Sequence, residues 1–285
     1  VKLGRMLFYD PILSADSTIS CATCHKQENA FASNVRFNRG VQGMKGARNA
    51  MSLANVGFYP RFNWHGDAES LEEQAIEPVL NPLEMTASWP DVVDRLKRHP
   101  RYPELFRQAF GDEPVSQELV TRAIAQFERT LISHNSKWDR VLKEANQTGQ
   151  RVQQVAGDIL SPSELRGLNL FNTERADCFH CHGGTGTQPL LTDNRFVNNG
   201  LDSMGPGEFD FPDQGRGGVT GKQEDKGKFR TPTLRNVALT GPYMHDGRFE
   251  TLKEVMDFYS DGLQPAPNTN ANIRKHLPTD RWASG

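Results

Sequence analysis

Several features that would assign a function class are missing from this sequence. Its 285 residues carry 33 Lys and Arg against 35 Asp and Glu, a net charge of -2, so it lacks the basic surface that nucleic-acid binding requires. No stretch approaches the ~20 consecutive apolar residues of a transmembrane helix, and we therefore expect no membrane span. Cysteine is scarce, with four residues. The length nevertheless suffices for one large domain or two ordinary ones.

The four cysteines all belong to C-x-x-C-H units, which read CATCH from residue 21 and CFHCH from residue 178. This pattern is the signature of covalent c-type haem, in which two thiols bond the porphyrin vinyl groups and the histidine ligates the iron. A redox dithiol needs no following histidine, and a zinc ribbon would combine both cysteine pairs without either histidine. Two haems are therefore the working interpretation, with a four-cysteine zinc site as the alternative. The haem-binding residues are then Cys21, Cys24, His25, Cys178, Cys181 and His182.

Helical periodicity dominates the chain between and after these motifs. Apolar residues at helical spacing predict a short helix over 91–99 and linked helices within 116–145. Ser161 and Glu164 form a predicted capping box, with Pro162 at the first helical position, before a helix that leads to the second motif. No strand alternation is strong enough to predict a sheet, so the elements found are helices.

The spacing of the haem motifs predicts the domain organisation. Cys21 and Cys178 are 157 residues apart, which leaves room for one haem-carrying helical unit in each half. Because the segment 146–160 is polar and contains glycine, we place the boundary there. The sequence therefore predicts an N-terminal haem domain over residues 1–150 and a C-terminal haem domain over residues 151–285.

Three longer stretches resemble the bacterial di-haem cytochrome c peroxidase family, whose superfamily includes the MauG enzymes of methylamine utilisation. They are LGRMLFYDPILSADSTISCATCH, GARNAMSLANVGFYPRFNWHGDAESLEEQAIEPVLNPLEM and GKFRTPTLRNVALTGPYMHDGRFETLKEVMDFY. The resemblance covers nearly the whole chain. It implies an all-α fold of two cytochrome c-like haem domains with long connecting loops. It also implies that the N-terminal haem is peroxidatic and that the C-terminal haem relays electrons.

The same resemblance implies a peroxide pocket made of Gln74, Pro78 and Glu84, with Trp64 between the haems. Heterolysis of bound peroxide moves a proton from the inner to the outer oxygen, which a carboxylate beside the iron can do. We therefore expect Glu84 to be the general acid and base and Gln74 to orient the peroxide. Taken without the resemblance, ESLEEQAIEPVL is typical of a surface helix with acidic residues near its start.

Two positions near this pocket depart from the family pattern. Many members carry a loop histidine that caps the peroxidatic iron until reduction, but the matching position, eight residues before Asn49, is Val41. We therefore predict an open iron that needs no reductive activation, with Met44 of the same loop as a rival ligand. His65 replaces the Asp of the usual W-D-G-R run, and the sequence assigns it no role.

A third departure concerns the second haem. In ordinary members a methionine ligates this iron fourteen residues after the His that matches His245, and here that position is Tyr259. MauG-type enzymes carry a tyrosine there, so we predict Tyr259 as the axial ligand, with Met256 as the competitor. A phenolate stabilises ferric iron and should lower the potential. We expect His245 to contact an iron ligand or a haem propionate and not to ligate the iron itself. A capping box of Thr251 and Glu254 predicts a helix, and its inward face would carry Leu252, Val255, Met256 and Tyr259.

A calcium ion between the haems is implied as well, held by the Asn49 side chain and the carbonyl oxygens of Thr240 and Pro242. Oxygen donors suit this hard cation. Without the resemblance, these segments would be read as ordinary loops.

The expected partners are hydrogen peroxide and either an electron-donor protein, such as a small cytochrome or cupredoxin, or an oxidisable protein substrate. MauG uses a surface tryptophan two residues before its second haem motif, but the matching residue here is Ala176. Maturation of methylamine dehydrogenase by that route is therefore unsupported. Three other tryptophans are candidate relays, namely Trp89, Trp138 and Trp282.

The expected location is the periplasm, because covalent haem is attached outside the bacterial cytoplasm. The helical pattern begins at Val1, so we expect a removed leader. The closing LPTDRWASG lacks the amphipathic helix usual in the family, which suggests a truncated C-terminus; a homodimer is compatible with the sequence. The main reading is a peroxidase. The alternatives are a MauG-like oxidase of side chains in a partner protein and a non-catalytic electron-transfer cytochrome.

Overall fold

The computed structural model describes residues 1–184 and 188–277, and its secondary structure is mostly helical. The α-helices are α1 (Lys2–Tyr9), α2 (Cys21–Cys24), α3 (Leu71–Gln74), α4 (Glu77–Leu80), α5 (Trp89–Arg98), α6 (Tyr102–Phe110), α7 (Gln117–Glu128), α8 (Lys137–Thr148), α9 (Val152–Ile159), α10 (Pro162–Phe171), α11 (Phe179–His182), α12 (Gly217–Thr220), α13 (Leu252–Asp257) and α14 (Ala271–Arg274). Within these described residues, every helix is too short or too polar to cross a bilayer.

Shorter elements connect the helices. Two antiparallel strands, β1 (Phe196–Val197) and β2 (Phe229–Arg230), pair with Phe196 opposite Arg230. A π-helical turn, Phe258–Gly262, directly follows α13. The 3-10 turns are Pro11–Leu13, Gln27–Asn29, Val41–Gly43, Val56–Phe58, Gln223–Asp225 and Val237–Leu239.

The chain divides into two compact units, each containing one C-x-x-C-H motif. The first unit comprises residues 1–132 and 238–258, and the second comprises 133–237 and the residues from Tyr259 onward. The segment 146–160 holds α9, which packs its Val155 and Ala156 against α8. The division into haem domains at residue 150 stays a prediction.

The core of the first unit forms where α1 packs against α7. Leu7 and Phe8 of α1 are fully buried. Gly4 lies so close to the carbonyl group of Ala123 that any β-carbon there would clash with it, which is why the helices approach closely only with glycine at this position. The Phe8 ring meets Phe127 edge-on, with 5.1 Å between centroids, and lies 6.4 Å from the His25 ring. The α1 and α7 pair therefore supports the first haem motif directly.

The predicted helices are present with adjusted ends. The short helix at 91–99 is α5, and the pattern within 116–145 becomes α7 and α8, separated by 129–136. The break is held by a hydrogen bond from the Asn55 N–H to the carbonyl oxygen of Leu131 (2.7 Å). Both predicted capping boxes, at Ser161 and Thr251, are formed. Local capping chemistry therefore fixed these helix starts as the sequence predicts.

Candidate active site

The first C-x-x-C-H motif is a single helical turn with a capped start. Ser20 and Thr23 form a capping box around α2, and the His25 N–H donates to the Cys21 carbonyl oxygen (2.9 Å). The His25 side chain then bonds through Nδ1 to the Phe31 carbonyl oxygen (2.8 Å). Because a carbonyl oxygen only accepts, Nδ1 carries the proton and Nε2 is left as the ligating nitrogen of the neutral ring.

The electrostatics of this motif favour neutral groups. Burial lowers the pKa of His25, which keeps the imidazole unprotonated. Burial and the Glu84 carboxylate raise the pKa of Cys24 to about 11, and burial with the Glu128 carboxylate also raises the pKa of Cys21. Zinc binding needs thiolates. In the described part of the chain, neither cysteine pair joins a cluster of three or more potential metal ligands. The donor set therefore fits covalent haem with an axial imidazole better than the zinc alternative.

Glu84 lies beside the first motif, since its charge acts on the Cys24 thiol. Burial raises its own pKa, while a hydrogen bond from the Asn81 amide to Glu84 Oε1 (2.8 Å) opposes that rise. The segment that carries Glu84 folds back on α4 through the Met85 N–H, which donates to the Pro78 carbonyl oxygen (3.1 Å). Pro78, within the first turn of α4, needs no N–H donor there. It therefore helps to position the carboxyl group.

Gln74 belongs to a hydrogen-bond network that the sequence analysis missed. The Gln74 amide donates to Asn63 Oδ1 (3.4 Å), and the Asn63 amide donates to Asp67 Oδ1 (2.8 Å) and Glu77 Oε2 (3.0 Å). His65 Nε2 lies 3.3 Å from Asp67 Oδ2. His65 thus contacts the Asp67 carboxylate through Nε2. In the sequence, residues 63, 67 and 77 match no motif spacing. The only sequence signal for this network is the group of acidic residues around Gln74.

Two similar loops enclose Asn49 in the first unit. Residues 62–68 and 243–249 are each closed by an antiparallel bridge, Phe62 to Ala68 and Tyr243 to Phe249. Trp64 Nε1 of the first loop donates to the Asn49 carbonyl oxygen (2.8 Å), and the Asn49 N–H donates to the His245 carbonyl oxygen of the second (2.7 Å).

The buried side chain of Asn49 faces backbone oxygens. Its amide donates to the Val35 carbonyl oxygen (3.0 Å), which leaves the side-chain oxygen as a donor atom for a cation such as calcium. Pro242, the predicted carbonyl ligand, is buried and follows a cis peptide bond at Gly241. Calcium binding at Asn49, Thr240 and Pro242 stays a prediction.

The loop at 40–44, where the resemblance implies a capping histidine in many relatives, is hydrogen-bonded to Glu84. The Val41 N–H donates to the Glu84 carbonyl oxygen (2.8 Å), and a β-carbon at Gly40 would clash with the backbone of residues 83 and 84. The buried side chain at this position is apolar, and Met44 is 46% exposed. An apolar residue therefore occupies the loop position that is hydrogen-bonded to the Glu84 backbone.

The second C-x-x-C-H motif repeats the histidine geometry of the first. In α11, His182 Nδ1 donates to the Leu191 carbonyl oxygen (3.0 Å), and burial lowers the His182 pKa. Burial and the Asp193 charge raise the pKa of Cys181 to about 11, and burial raises that of Cys178. The Nε2 atom of His182 is left to ligate, so this motif also fits a c-type haem.

His180 lies inside the second motif but has different partners. Its Nδ1 contacts the Asp177 carboxylate, which also accepts from His276 Nε2 (3.1 Å) and pairs with Lys275 Nζ (2.9 Å). Because this network occupies Nδ1 of His180, His182 is the better candidate for the iron ligand. Ala176, two residues before the motif, lies in the preceding turn, where the Cys178 thiol donates to its carbonyl oxygen (3.3 Å).

Tyr259 lies beside the second cysteine pair. Burial raises its pKa to about 12, with smaller contributions from the Cys181 and Cys178 charges, whereas the Asn199 amide, 3.1 Å from the phenol oxygen, lowers it. An amide donor at the phenol oxygen favours the phenolate that ferric iron would bind. Tyr259 lies in the π-helical turn, an element that often marks functional sites.

The predicted inward face of α13 was wrong for two residues. Leu252 and Met256 are 37% and 53% exposed, whereas Phe258 is buried and Tyr259 is half-buried. Helix α13 itself lies at the surface with no buried residue, and burial begins only in the π-helical turn that follows it, which shifts the register of the side chains after Asp257. The exposure of Met256 favours Tyr259 as the ligand.

The candidate relay tryptophans differ in accessibility. Trp89 is buried, so it is not a surface relay. Trp138 packs against the buried cluster of α8 and α9. Trp282 and the closing segment, with its predicted missing helix, lie outside the described residues.

Comparison with known proteins gives consistent matches. Residues 1–147 match the family described as di-haem cytochrome c peroxidase. The chain is 35% identical to cytochrome c551 peroxidase of Nitrosomonas europaea, over 90% of this chain and 71% of that protein. It is also 35% identical to the methylamine utilization protein MauG of Methylophilus methylotrophus, over 92% and 72% respectively. Among solved structures, a MauG-like protein associated with microbial copper homeostasis matches with a TM-score of 0.79 and 33% identity, covering 99% of this chain and 90% of that one.

Proposed function

Since this chain belongs to the di-haem cytochrome c peroxidase family, an enzyme family of haem oxidoreductases, we propose that it reduces hydrogen peroxide at the haem held by Cys21, Cys24 and His25. Membership implies two haems, a peroxidase or MauG-like oxidase activity, and a protein partner or substrate. When bound, the haem supplies an iron that binds peroxide and accepts its oxidising equivalents.

The observation that carries the proposal is the buried carboxyl of Glu84 beside the first motif. Its raised pKa suits a group that takes a proton from one oxygen of peroxide and returns it to the other. The Asn81 amide at Oε1 fixes the orientation of the carboxyl group, and Gln74, held by Asn63, orients the peroxide.

Immediate activity without reductive activation is the second part of the proposal. It is supported by Val41, which offers no ligand atom at the loop position bonded to the Glu84 backbone. The exposed Met44 gives no support to methionine as a rival ligand.

The second haem is proposed to store or relay oxidising equivalents. Support comes from Tyr259 beside the cysteine pair of His182, with Asn199 at its phenol oxygen. Trp64 is the proposed relay in the first unit, because its indole is fixed at the Asn49 backbone. An electron-donor protein, a small cytochrome or a cupredoxin, supplies the electrons in this scheme. The periplasm is the proposed location and calcium the proposed additional ion, because the family resemblance implies both.

A second candidate is the oxidation of side chains in a partner protein. Tyr259 favours it, because a phenolate-bound haem of low potential is a poor acceptor from ordinary cytochromes. The similarity to MauG proteins supports it also.

The first test is electron paramagnetic resonance of the ferric holoprotein before and after one equivalent of peroxide. A high-spin signal beside a low-spin one, both lost with peroxide, is the expected result. Two low-spin signals that ignore peroxide would overturn the proposal in favour of an electron-transfer cytochrome.

Replacement of Glu84 by Gln tests the proton-transfer role. We expect kcat/KM for peroxide to fall by about 10²–10⁴, the usual contribution of a general acid or base. The matched control is Glu113→Gln, at an exposed position of the same unit. An unchanged rate in Glu84→Gln would remove Glu84 from the mechanism.

A further inference from the structure

Two carboxyl groups outside the predicted site lie together beside Glu84. Both accept from the same Asn63 amide group, Asp67 through Oδ1 at 2.8 Å and Glu77 through Oε2 at 3.0 Å. Two carboxylates held at one amide nitrogen repel each other when both are charged, and one shared proton removes that repulsion. The geometry therefore favours one proton on the pair.

The charges around Glu77 keep that proton in place near neutrality. Partial desolvation and the Asp67 carboxylate raise the pKa of Glu77 to about 7, with a smaller contribution from Glu84, while Arg48 lowers it. His65 faces Asp67 from the other side, with Nε2 3.3 Å from Oδ2. The pair is thus close enough to Glu84 to respond to its charge, and His65 contacts it through Asp67.

Comparison of the two similar loops indicates that this arrangement is particular to the first. In the second loop, Asp246 precedes Gly247 and pairs with Arg248 (3.0 Å), whereas in the first loop His65 precedes Gly66 and pairs with Asp67. A contact across the glycine is present in both loops, but the acidic residue follows the glycine in the first loop and precedes it in the second. This reversal puts a carboxylate, in place of a guanidinium, next to Glu77.

We propose that Asp67 and Glu77 share one proton and deliver it through Glu84 to peroxide during its reduction. This inference rests on the proposed function and deepens it. Reduction follows H2O2 + 2 H⁺ + 2 e⁻ → 2 H2O, in which one O–O bond breaks, two O–H bonds form, and the donor protein or oxidised side chain loses two electrons. Glu84 moves the proton already on peroxide. The pair supplies one of the two further protons and regains it from solvent past His65.

An acid-base titration of the ferric holoprotein, read by the protons bound rather than by activity, tests the shared proton. Wild-type protein should release one proton with a midpoint near pH 7. Glu77→Gln should lose this group, whereas Asp67→Asn should move it down toward the ordinary glutamate range, because the neighbouring charge is gone. Glu113→Gln, at the exposed position, should titrate as wild type. Persistence of the group near pH 7 in Glu77→Gln would overturn the proposal.

The pH profile of peroxide reduction then tests delivery. The wild-type rate should fall above pH 7 as the pair loses its proton, and Glu77→Gln should be slower by about tenfold at pH 6, with that limb absent. Normal haem absorption in both variants excludes misfolding. If the fall in rate near pH 7 persists in Glu77→Gln, the pair does not deliver the proton to peroxide, and only that part of the proposal is overturned. If wild-type protein reduces no peroxide, the proposed function fails, whatever the titration reports.

Discussion

At the scale of single residues, each haem motif depends on which histidine nitrogen is left to bind. In both motifs a carbonyl oxygen, from Phe31 or Leu191, accepts a hydrogen bond from Nδ1–H and so leaves Nε2 to bind. The sequence predicts the histidines as ligands because they directly follow the second cysteine. It cannot predict the carbonyl partners, since their distances of six and nine residues along the chain follow no motif.

The axial role of Tyr259 gives a prediction at the same scale. Tyr259→Met replaces a phenolate with a thioether, so the reduction potential of the second haem should rise by at least about 0.1 V, a fraction of the roughly 0.8 V range that axial ligands cover. Spectroelectrochemical titration of the holoprotein measures this. The control is Tyr9→Met, a tyrosine in α1 that donates to Gln27. An unchanged spectrum and potential in Tyr259→Met would exclude tyrosine ligation.

Some polar residues of the site could be predicted from the sequence and others could not. Glu84 and Gln74 were expected because a family motif marks their positions, and the structure brings Glu84 to Cys24. Asp67, in a loop, and Glu77, at the start of α4, were missed because acidic residues at such positions are usually solvated. Only the Asn63 amide, which bonds both, reveals them as a pair.

At the scale of elements, periodicity predicted where helices lie better than which way they face. The apolar repeat of α7 was predicted and is buried through Leu119, Ala123 and Phe127. The face of α13 was not predicted correctly: the helix has no buried residue, and burial begins at Phe258 in the π-helical turn Phe258–Gly262. Helical periodicity continued through this turn would place its side chains on the wrong face, because a π-turn adds residues to the turn.

Helix α7 ends in a buried carboxyl that predicts a pH-dependent stability. Glu128 is 4% exposed, and its Oε2 has no hydrogen-bond partner among the described residues. Burial raises its pKa to about 8, against the opposing charge of Arg129. The folded protein therefore binds a proton that the unfolded chain has already lost, so stability should fall as pH rises from about 4.5 to about 8.

The test compares wild type with Glu128→Gln by chemical unfolding at pH 5 and pH 8. Between these pH values the wild type should lose on the order of 3 kcal/mol of unfolding free energy, and Glu128→Gln should not. Glu118→Gln, an exposed position on the same helix, is the control. If wild type and Glu128→Gln lose equal stability, the carboxyl is not protonated in the folded state.

At the scale of the whole molecule, contacts do not follow the order of the chain. The division at residue 150 was predicted from the spacing of two motifs and stays a prediction. The first compact unit of the structure includes residues 238–258. Spacing between two motifs cannot reveal such a return, because it depends on long-range bonds such as that from Asn49 to His245.

Removal of calcium should lower the stability of the first unit, which residues 238–258 complete. The proposed ligands Asn49, Thr240 and Pro242 join the early and late segments, so a chelator should lower the Tm of the holoprotein. At a free calcium concentration 100 times the dissociation constant, binding contributes about 2.7 kcal/mol. The Tm should recover with calcium, and Asn49→Ala should show no chelator effect. A wild-type Tm indifferent to chelator would argue against the site.

The late return of residues 238–258 has a consequence for biogenesis. Cys21 and Cys24 are synthesised more than two hundred residues before His245, whose carbonyl oxygen accepts from the Asn49 N–H. The first C-x-x-C-H motif therefore emerges on a chain whose surrounding unit is still incomplete. A chain interrupted before residue 238 would lack the segment that completes the first unit.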